Sequence, residues 1–260
     1  MSLTTYSIFY YGHIVTSENK YIDFKEGATT YAASLPVGSY TLTRYCELIA
    51  EAMNDVGSYT YTCSVNRTTR IITISGSSAF DFLGSTGVNA SQNICSLAGI
   101  TAADSLATTS VVGASASGSY FEPQFTLQDH VATQNNKRAL NAVVTKSASG
   151  NKVSVQSFGE ERFLECSLKY ITEIRQPTGQ KLKTDTSALT NVRAFLDHCV
   201  EKRPIEYMAN INDRDTYEKL ILESTDIESD GSGYRLKELY DKGLPGYYDS
   251  GILKFKVITE

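Results

Sequence analysis

The chain contains no tryptophan, no long apolar run, no surplus of basic charge and no paired-cysteine motif. Each absence removes a class of function. Without tryptophan, the ring best suited to stacking on sugars is missing, which weighs against a glycan-binding module. No apolar run approaches the roughly 20 residues that cross a bilayer as a helix. The first residues, MSLTTYSIFYYGHIV, lack the basic start and apolar core of a secretory leader. The expectation is a protein that acts where it is made, or leaves inside a larger particle. Lys and Arg number 24 against 29 Asp and Glu, for a net charge of −5 without a basic cluster. Direct nucleic-acid binding is not expected, because neutralising phosphates takes clustered cations. The cysteines at 46, 63, 95, 166 and 199 are odd in number and form no CxxC pair. They read as free, buried thiols in a reducing compartment, with no internal disulfide. GxSxG, HExxH, Walker and Rossmann signatures are all missing. No catalytic residue, cofactor or metal is therefore assigned, and no enzyme is expected.

What is present is a globular composition, 41 % hydrophobic and 20 % charged, with 17 tyrosines. Tyrosine suits strands and protein interfaces. The organising stretch is Tyr40 to Ile74. Leu42, Tyr45, Leu48, Ile49, Ala52, Met53 and Val56 recur at three- and four-residue spacing, one apolar helix face. Thr41 or Thr43 can cap its start, and Gly57 can end it in the left-handed conformation. Tyr59, Tyr61, Cys63 and Val65 then alternate with polar residues, Asn66 to Arg70 is a turn, and Ile72 and Ile74 resume the alternation. This is a helix packed on a hairpin.

Before it, Tyr6–Thr16, Tyr21–Phe24 and Tyr31–Leu35 read as strands. After it, Phe80–Thr109 is low in charge and rich in small residues, and fits short helical turns or loops equally. Residues 112–119 (VGASASGS) have the composition of a flexible linker. Up to Gly113 there are five Lys or Arg and eight Asp or Glu; beyond it there are 19 and 21. The later part reads as strands at Tyr120–Leu127, Ala139–Lys146, Lys152–Ser157, Phe163–Ile174, Ile205–Met208, Tyr217–Glu223 and Leu253–Ile258. A second helix spans Ser187–Val200, with Leu189, Val192, Phe195, Leu196, Cys199 and Val200 on its apolar face.

Candidate sites are few. Asp226, Glu228, Asp230 and Gly231 resemble the start of a calcium loop, but Lys237 stands where the closing bidentate carboxylate belongs. An acidic surface loop is the reading adopted. His198 and Cys199 are adjacent on a helix and point about 100° apart, so a buried cysteine beside a polar-face histidine is expected. His13 and His130 suggest no ligand set. Tyr10-Tyr11 fits one ring in and one out as well as it fits an interface. Tyr234, Tyr240, Leu244, Tyr247 and Tyr248 lie among Gly243, Pro245, Gly246 and Gly251, which break any continuous core element. They are the candidate interface.

Residues Tyr21 to Ile100 carry a resemblance. YIDFKEG, LPVGSYTLTRYCELIAEAMNDVGSYTYTCSV, TRIITISG, F-x-F-L and SLAGIT follow in order, and the succession resembles a module of tailed-bacteriophage virion proteins. Ser157-Phe158-Gly159, Arg162-Phe163-Leu164-Glu165 and the Tyr-rich stretch from Gly231 to Tyr248 are similar to phage tail structural proteins. The resemblance implies a tail component of the distal-tail or tail-tube type, built on a β-barrel or sandwich and assembled as a ring, commonly six-fold. It implies neighbouring tube, hub and tape-measure proteins as partners, assembly in the host cytoplasm and residence in the virion tail. The fold expected is α+β: a mostly antiparallel β barrel or sandwich core formed by 1–20 and 116–260, two principal helices, and a helix-plus-hairpin module, 21–113, inserted in that core. The function expected is structural, joining tube to tip by self-assembly without catalysis. The alternatives are a carbohydrate-binding host-adsorption module and a head–tail neck protein.

Overall fold

A computed structural model describes residues 7–121, 135–146, 153–167, 192–225, 237–238, 243 and 248–258. In chain order the elements are β1 (Ile8–Tyr11), β2 (His13–Val15), β3 (Tyr21–Glu26), β4 (Thr29–Ser34), β5 (Gly38–Tyr40), α1 (Leu42–Val56), β6 (Tyr61–Asn66), β7 (Ile71–Leu83), α2 (Cys95–Ala98), β8 (Asp104–Val112), β9 (Ser119–Phe121), β10 (Asn135–Lys146), β11 (Val153–Ser167), α3 (Val192–Val200), β12 (Ile205–Met208), β13 (Glu218–Thr225), β14 (Lys237–Glu238), β15 (Tyr248–Asp249) and β16 (Ile252–Val257). The class is α+β and mostly antiparallel β, with α1 and α3 the main helices. Among the described residues no sheet closes into a barrel. Contacts divide the chain into unit 1, residues 1–122 with 203–217 and 260, and unit 2, residues 123–202 with 218–259. Residues 1–20 thus group with 21–113, because the N-terminal strand, the helix–hairpin module and a late return segment share one core.

In unit 1, β9, β1 and β12 form one antiparallel array, with Phe9 opposite both Phe121 and Tyr207. All four residues of β1 are buried, so Tyr10 and Tyr11 both point into the protein, not one in and one out. The expected single strand from Tyr6 to Thr16 is two strands. Gly12, at φ +95, turns the chain between them, a conformation open chiefly to glycine. β2 then pairs with β5. The main sheet runs β4-β3-β7-β6, and β8 also lies along β7.

α1 forms where its spacing places it. Thr41 caps it, its hydroxyl accepting from Arg44 N at 3.3 Å. Leu42, Tyr45, Cys46, Leu48, Ile49, Ala52 and Met53 are buried. The larger of these contribute about 1.5–3 kcal/mol each in gross terms, well above any propensity difference along the helix. Gly57 ends the helix, but not in the left-handed form: φ is −81, and its N–H donates to Met53 O at 2.8 Å. Glycine is needed there for close approach. A Cβ would stand 2.7 Å from Glu26 Oε1 and 2.9 Å from Met53 O. The Glu26 carboxylate reaches this point to accept from Ser58 N, Tyr59 N and the Tyr61 hydroxyl.

β7 runs on to Leu83, past the expected end near Ile74, because Phe80 and Phe82 are buried in the same core as Ile72 and Ile74. The following stretch holds a 3-10 turn at Ala90–Gln92, then α2, and then the unforeseen strand β8. The linker expectation for 112–119 is overturned. Gly113 N donates to Ile72 O, Ala114 N and Ser115 N to Gly99 O, and Ser117 N to Arg70 O. Ser117 is completely buried. Gly113 and Ser117 are buried in this packing, whereas Ala114, Ser115 and Ala116 between them stay exposed.

In unit 2 the order is β10-β11-β16-β13. β11 is continuous from Val153 to Ser167, not two strands. Its pairing with β10 shifts between Leu140 and Ala142, so Phe158 and Gly159 are absorbed as a bulge. Phe163, Leu164, Cys166, Phe195, Leu196, Cys199, Leu220, Leu222, Leu253 and Phe255 supply buried apolar surface. His198 is buried too, at 4 % exposure, which corrects the polar-face reading of α3.

Candidate interaction surface

The residues named from sequence fall unevenly on the described parts. Tyr234, Tyr240, Leu244 and Tyr247 lie outside the described residues, as do His130 and the loop from Asp226 to Gly233. The backbone of Tyr248 lies in β15, opposite Glu238 of β14. Lys237 is exposed and faces Asp249 in that ladder. His13 is fully buried, with Nε2 at 3.1 Å from Ser117 Oγ, and Ser117 Oγ donates to Leu97 O at 2.8 Å. This serine–histidine contact is closed to solvent and holds the 113–118 segment down. Among the described residues no group of three or more His, Cys, Asp or Glu could hold a metal ion.

All five cysteines are free; Cys63 is half-buried and the other four are buried. Burial pushes the Cys95 thiol up to about 11 and the Cys166 thiol up to about 12. Burial, and then Cys166 nearby, raise Cys199 well above the ordinary range. Such thiols stay protonated near neutral pH and are poor nucleophiles.

The densest polar cluster holds the return segment inside unit 1. Glu206, on β12, is fully buried and pairs with Arg67 in the hairpin turn between β6 and β7. Glu206 Oε1 also accepts from Thr43 N at 2.6 Å, in the first turn of α1. Arg67 donates to Arg214 O and to Thr43 Oγ1, and its guanidinium lies 3.7 Å from the centre of the Tyr217 ring. Arg214 donates to the Tyr10 hydroxyl at 2.9 Å, and Tyr10 in turn donates to Arg67 O. Arg70 donates to Ser117 O and Gly118 O. Every guanidinium here ends on a carboxylate, a hydroxyl or a carbonyl of unit 1, so the cluster is a clasp.

The exposed residues of the 71–121 segment of the same unit are of another kind. Every exposed residue between Ile71 and Phe121 is Ser, Thr, Ala, Val or Leu. A protein surface ordinarily carries about 25–35 % charged residues. The only two charges in the stretch, Asp81 and Asp104, are turned to internal use. Asp81 accepts from Ala107 N. Asp104 accepts from the N–H and hydroxyl groups of both Ser85 and Thr86, and is thereby held down to about 2, with the Thr86 hydroxyl the foremost cause. Val88, Leu106 and Val112 stand 91 %, 68 % and 58 % exposed. On β8, Leu106, Ala107, Thr109, Ser110 and Val112 face outward while Val111 faces the core. Thr108 Oγ1 bonds the N–H and the carbonyl of Ser110, which blunts this strand against indiscriminate edge pairing. Depletion of charge is one mark of an interface centre; Ser and Ala, which dominate here, are themselves depleted in such centres.

Unit 2 offers a second feature. β10 and β11 pair from Leu140 with Glu160 to Lys146 with Val153, whereas β16 meets β11 only between Phe163 and Ser167. Among the described residues no third strand pairs with the Leu140–Lys146 and Val153–Glu160 ribbon. A two-stranded ribbon is marginal alone in water, so it suits coverage by another body.

Sequence reasoning found the shortage of charge in 80–109 but not its place on the outside, since composition does not say which side of a strand faces water. It missed the clasp. The available signal was Glu206, a lone acid in the otherwise apolar strand Ile205–Met208. Compared with protein-family models and with curated protein sequences, the chain matches none.

Proposed function

We propose that this protein is a structural component of a bacteriophage tail, a distal-tail or baseplate-hub-like ring protein that joins tube to tip. It acts by self-assembly, without catalysis. The observation that carries this reading is the charge-free exposed surface between Ile71 and Phe121. The sequence resemblance supplies the setting. An interface of ordinary size covers about 800 Å² per partner, and charge left at its centre has to be desolvated on assembly. A surface of Ser, Thr, Ala, Val and Leu avoids that cost, and identical copies meet there without like-charge repulsion despite a net charge of −5. The β10–β11 ribbon and the tyrosines at 234, 240, 247 and 248 extend the contact area in this proposal.

The test places charge on the neutral surface. Leu106→Glu with Val112→Glu changes two exposed side chains, so the circular dichroism spectrum and melting temperature stay near wild type. Sedimentation and negative-stain images should show rings for the wild type and single subunits for the double variant, and virions complemented with the variant should lack finished tails. A wild type that never forms rings and is not found in particles, or a variant that assembles normally, refutes the reading.

A further inference from the structure

Among the described residues, β4, β6 and β8 are the strands of the main sheet in unit 1 that pair on one side only. Two of these edges are obstructed. On β6, Asn54 Nδ2 donates to Tyr61 O at 2.9 Å and Tyr61 N donates to Asn54 Oδ1 at 2.7 Å. On β8, Ala107 interrupts the strand at φ +49, and Thr108 Oγ1 bonds the N–H and the carbonyl of Ser110. β4 has neither device. It meets β3 without a shift in register, from Ser34 opposite Tyr21 to Thr29 opposite Glu26. Just beyond, Leu35 N donates to Lys20 O at 2.9 Å. Bonded and non-bonded pairs alternate along an antiparallel ladder, so Thr29, Tyr31 and Ala33 bond to β3. The N–H and carbonyl groups of Thr30, Ala32 and Ser34 point the other way. All three residues are exposed, and no side chain among the described residues occupies that row.

We propose that the open edge of β4 is a docking site for a second copy of this chain, whose own β4 pairs with it antiparallel about a two-fold axis through Ala32. Ala32 then faces Ala32 of the second copy, and Thr30 faces its Ser34. Each facing pair exchanges two backbone hydrogen bonds. Centring on Ala32 is the register that uses every outward group, because those groups are spaced evenly on either side of it. The contact is isologous: one patch serves both copies.

Charge favours a second copy as the occupant. From Gly27 to Val37 the chain reads GATTYAASLPV, with no ionisable side chain except Tyr31. Two copies, each of net charge −5, therefore bring no like charges together along this edge. Lysine, proline within the strand and bulges are the usual guards of a solvent-facing edge, and β4 carries none of them. Val37, 62 % exposed just past the end of β4, adds an apolar side chain beside the same edge. A contact made by one short strand is smaller than an ordinary interface, so affinity in the range of about 10–100 μM is expected. β4 and β8 are different edges of the sheet. This inference therefore does not depend on the role proposed for the surface around Leu106 and Val112.

The test uses the full chain carrying Leu106→Glu and Val112→Glu, so that the surface around β8 cannot supply the contact. Sedimentation equilibrium should show a two-subunit species forming at about 10–100 μM. Amide exchange at Thr30, Ala32 and Ser34 should slow about tenfold or more as the protein concentration rises from about 5 to about 500 μM. Thr30→Lys with Ser34→Lys sets like charges opposite each other at both ends of the row and should weaken the dimer about tenfold or more. Thr30→Lys with Ser34→Glu sets opposite charges there and should keep the dimer near the parent's strength. Both positions are exposed, so circular dichroism should match the parent in each case. A parent that stays single at about 500 μM, a dimer in which the three amides exchange as in the monomer, or a lysine–glutamate variant no tighter than the lysine–lysine one overturns the proposal. The exchange measurement on the parent decides even if a lysine variant fails to fold. Rings formed by the wild type through Leu106 and Val112 bear on the earlier reading alone.

Discussion

Removing the Glu206 carboxylate should cost unit 1 more than any other change of so few atoms. The group is fully buried; its Oε2 pairs with Arg67, itself 9 % exposed, and its Oε1 accepts from Thr43 N at 2.6 Å. Thr43 N is one of the first-turn N–H groups that a helix leaves without an internal partner, and the carboxylate also sits at the positive end of α1. In Glu206→Ala, Arg67 keeps Arg214 O at 2.6 Å, Thr43 Oγ1 at 3.0 Å and the Tyr217 ring. Its charge, however, has lost its counter-ion. Breaking a buried pair from one side costs about 3–5 kcal/mol, and the stranded N–H adds about 1 kcal/mol. With neutral acceptors still in place, a loss of about 4 kcal/mol follows. At a urea dependence of about 2 kcal/mol per molar, the midpoint falls by about 2 M. Amide exchange along α1 and β12 during the titration reads unit 1 on its own. Glu206→Gln keeps an oxygen for Thr43 N and should lose less than the alanine variant. Arg67→Met with Glu206→Leu removes both charges and should also lose less than the single alanine change. A midpoint shift below about 0.3 M for Glu206→Ala, or a double variant as unstable as the single one, refutes the electrostatic account of the clasp.

Gly57→Ala would ordinarily stabilise a site with negative φ by restricting the unfolded chain. Here the added Cβ meets Glu26 Oε1 and Met53 O, and a loss of about 1–3 kcal/mol in chemical denaturation is expected; a gain would show that the close approach relaxes freely. Asp104 is depressed to about 2, so its contribution is present above the unfolded value of about 3.9 and is lost as pH falls from about 4 towards 2. Melting temperatures of Asp104→Asn and wild type should therefore converge over that window, and a constant gap between them contradicts the assignment. Cys166 and Cys199 have raised thiols; their contribution is full below the unfolded value of about 8.5 and is lost as pH rises above it. Ellman titration of native protein at pH 8 should leave both unreacted, and prompt reaction of either refutes their burial. Tyr247→Ala with Tyr248→Ala should leave the melting curve unchanged and weaken ring formation, each anchor contributing about 2 kcal/mol; an unfolded variant would instead place these rings in a core.

α1 was legible because burial and periodicity agree along it: the residues at helical spacing from Leu42 to Met53 are the buried ones. β16 was legible for the same reason at a period of two, with Leu253 and Phe255 buried. The long course of β7 was not, since Gly76-Ser77-Ser78-Ala79 reads as loop and only the core positions of Phe80 and Phe82 keep the strand going. Residues 113–118 have linker composition, and only the carbonyls of Ile72, Gly99 and Arg70, supplied from far away, turn them into packed structure. The same limit hid the clasp. Nothing near Glu206 in sequence announces Arg67, and the pair exists only once β12 lies against β1. For the candidate interaction surface, composition showed the missing charge, while the outward direction of Leu106 and Val112 depended on the register between β7 and β8.

The return of residues 203–217 to unit 1 after the chain has entered unit 2 has a consequence during translation. A ribosome adding about 5–20 residues per second needs about 5–20 s to go from residue 122 to residue 217. Throughout that interval Arg67 lacks its counter-charge, the first turn of α1 lacks the Glu206 carboxylate, and β1 lacks its partner β12. Unit 2 is unfinished as well, because β13 and β16 are still to come. The two units therefore mature together, once residues 203–257 have been made, instead of one after the other. A nascent chain cut short before residue 206 carries an open clasp and a β1 edge without β12, which makes it a natural substrate for chaperones and proteases.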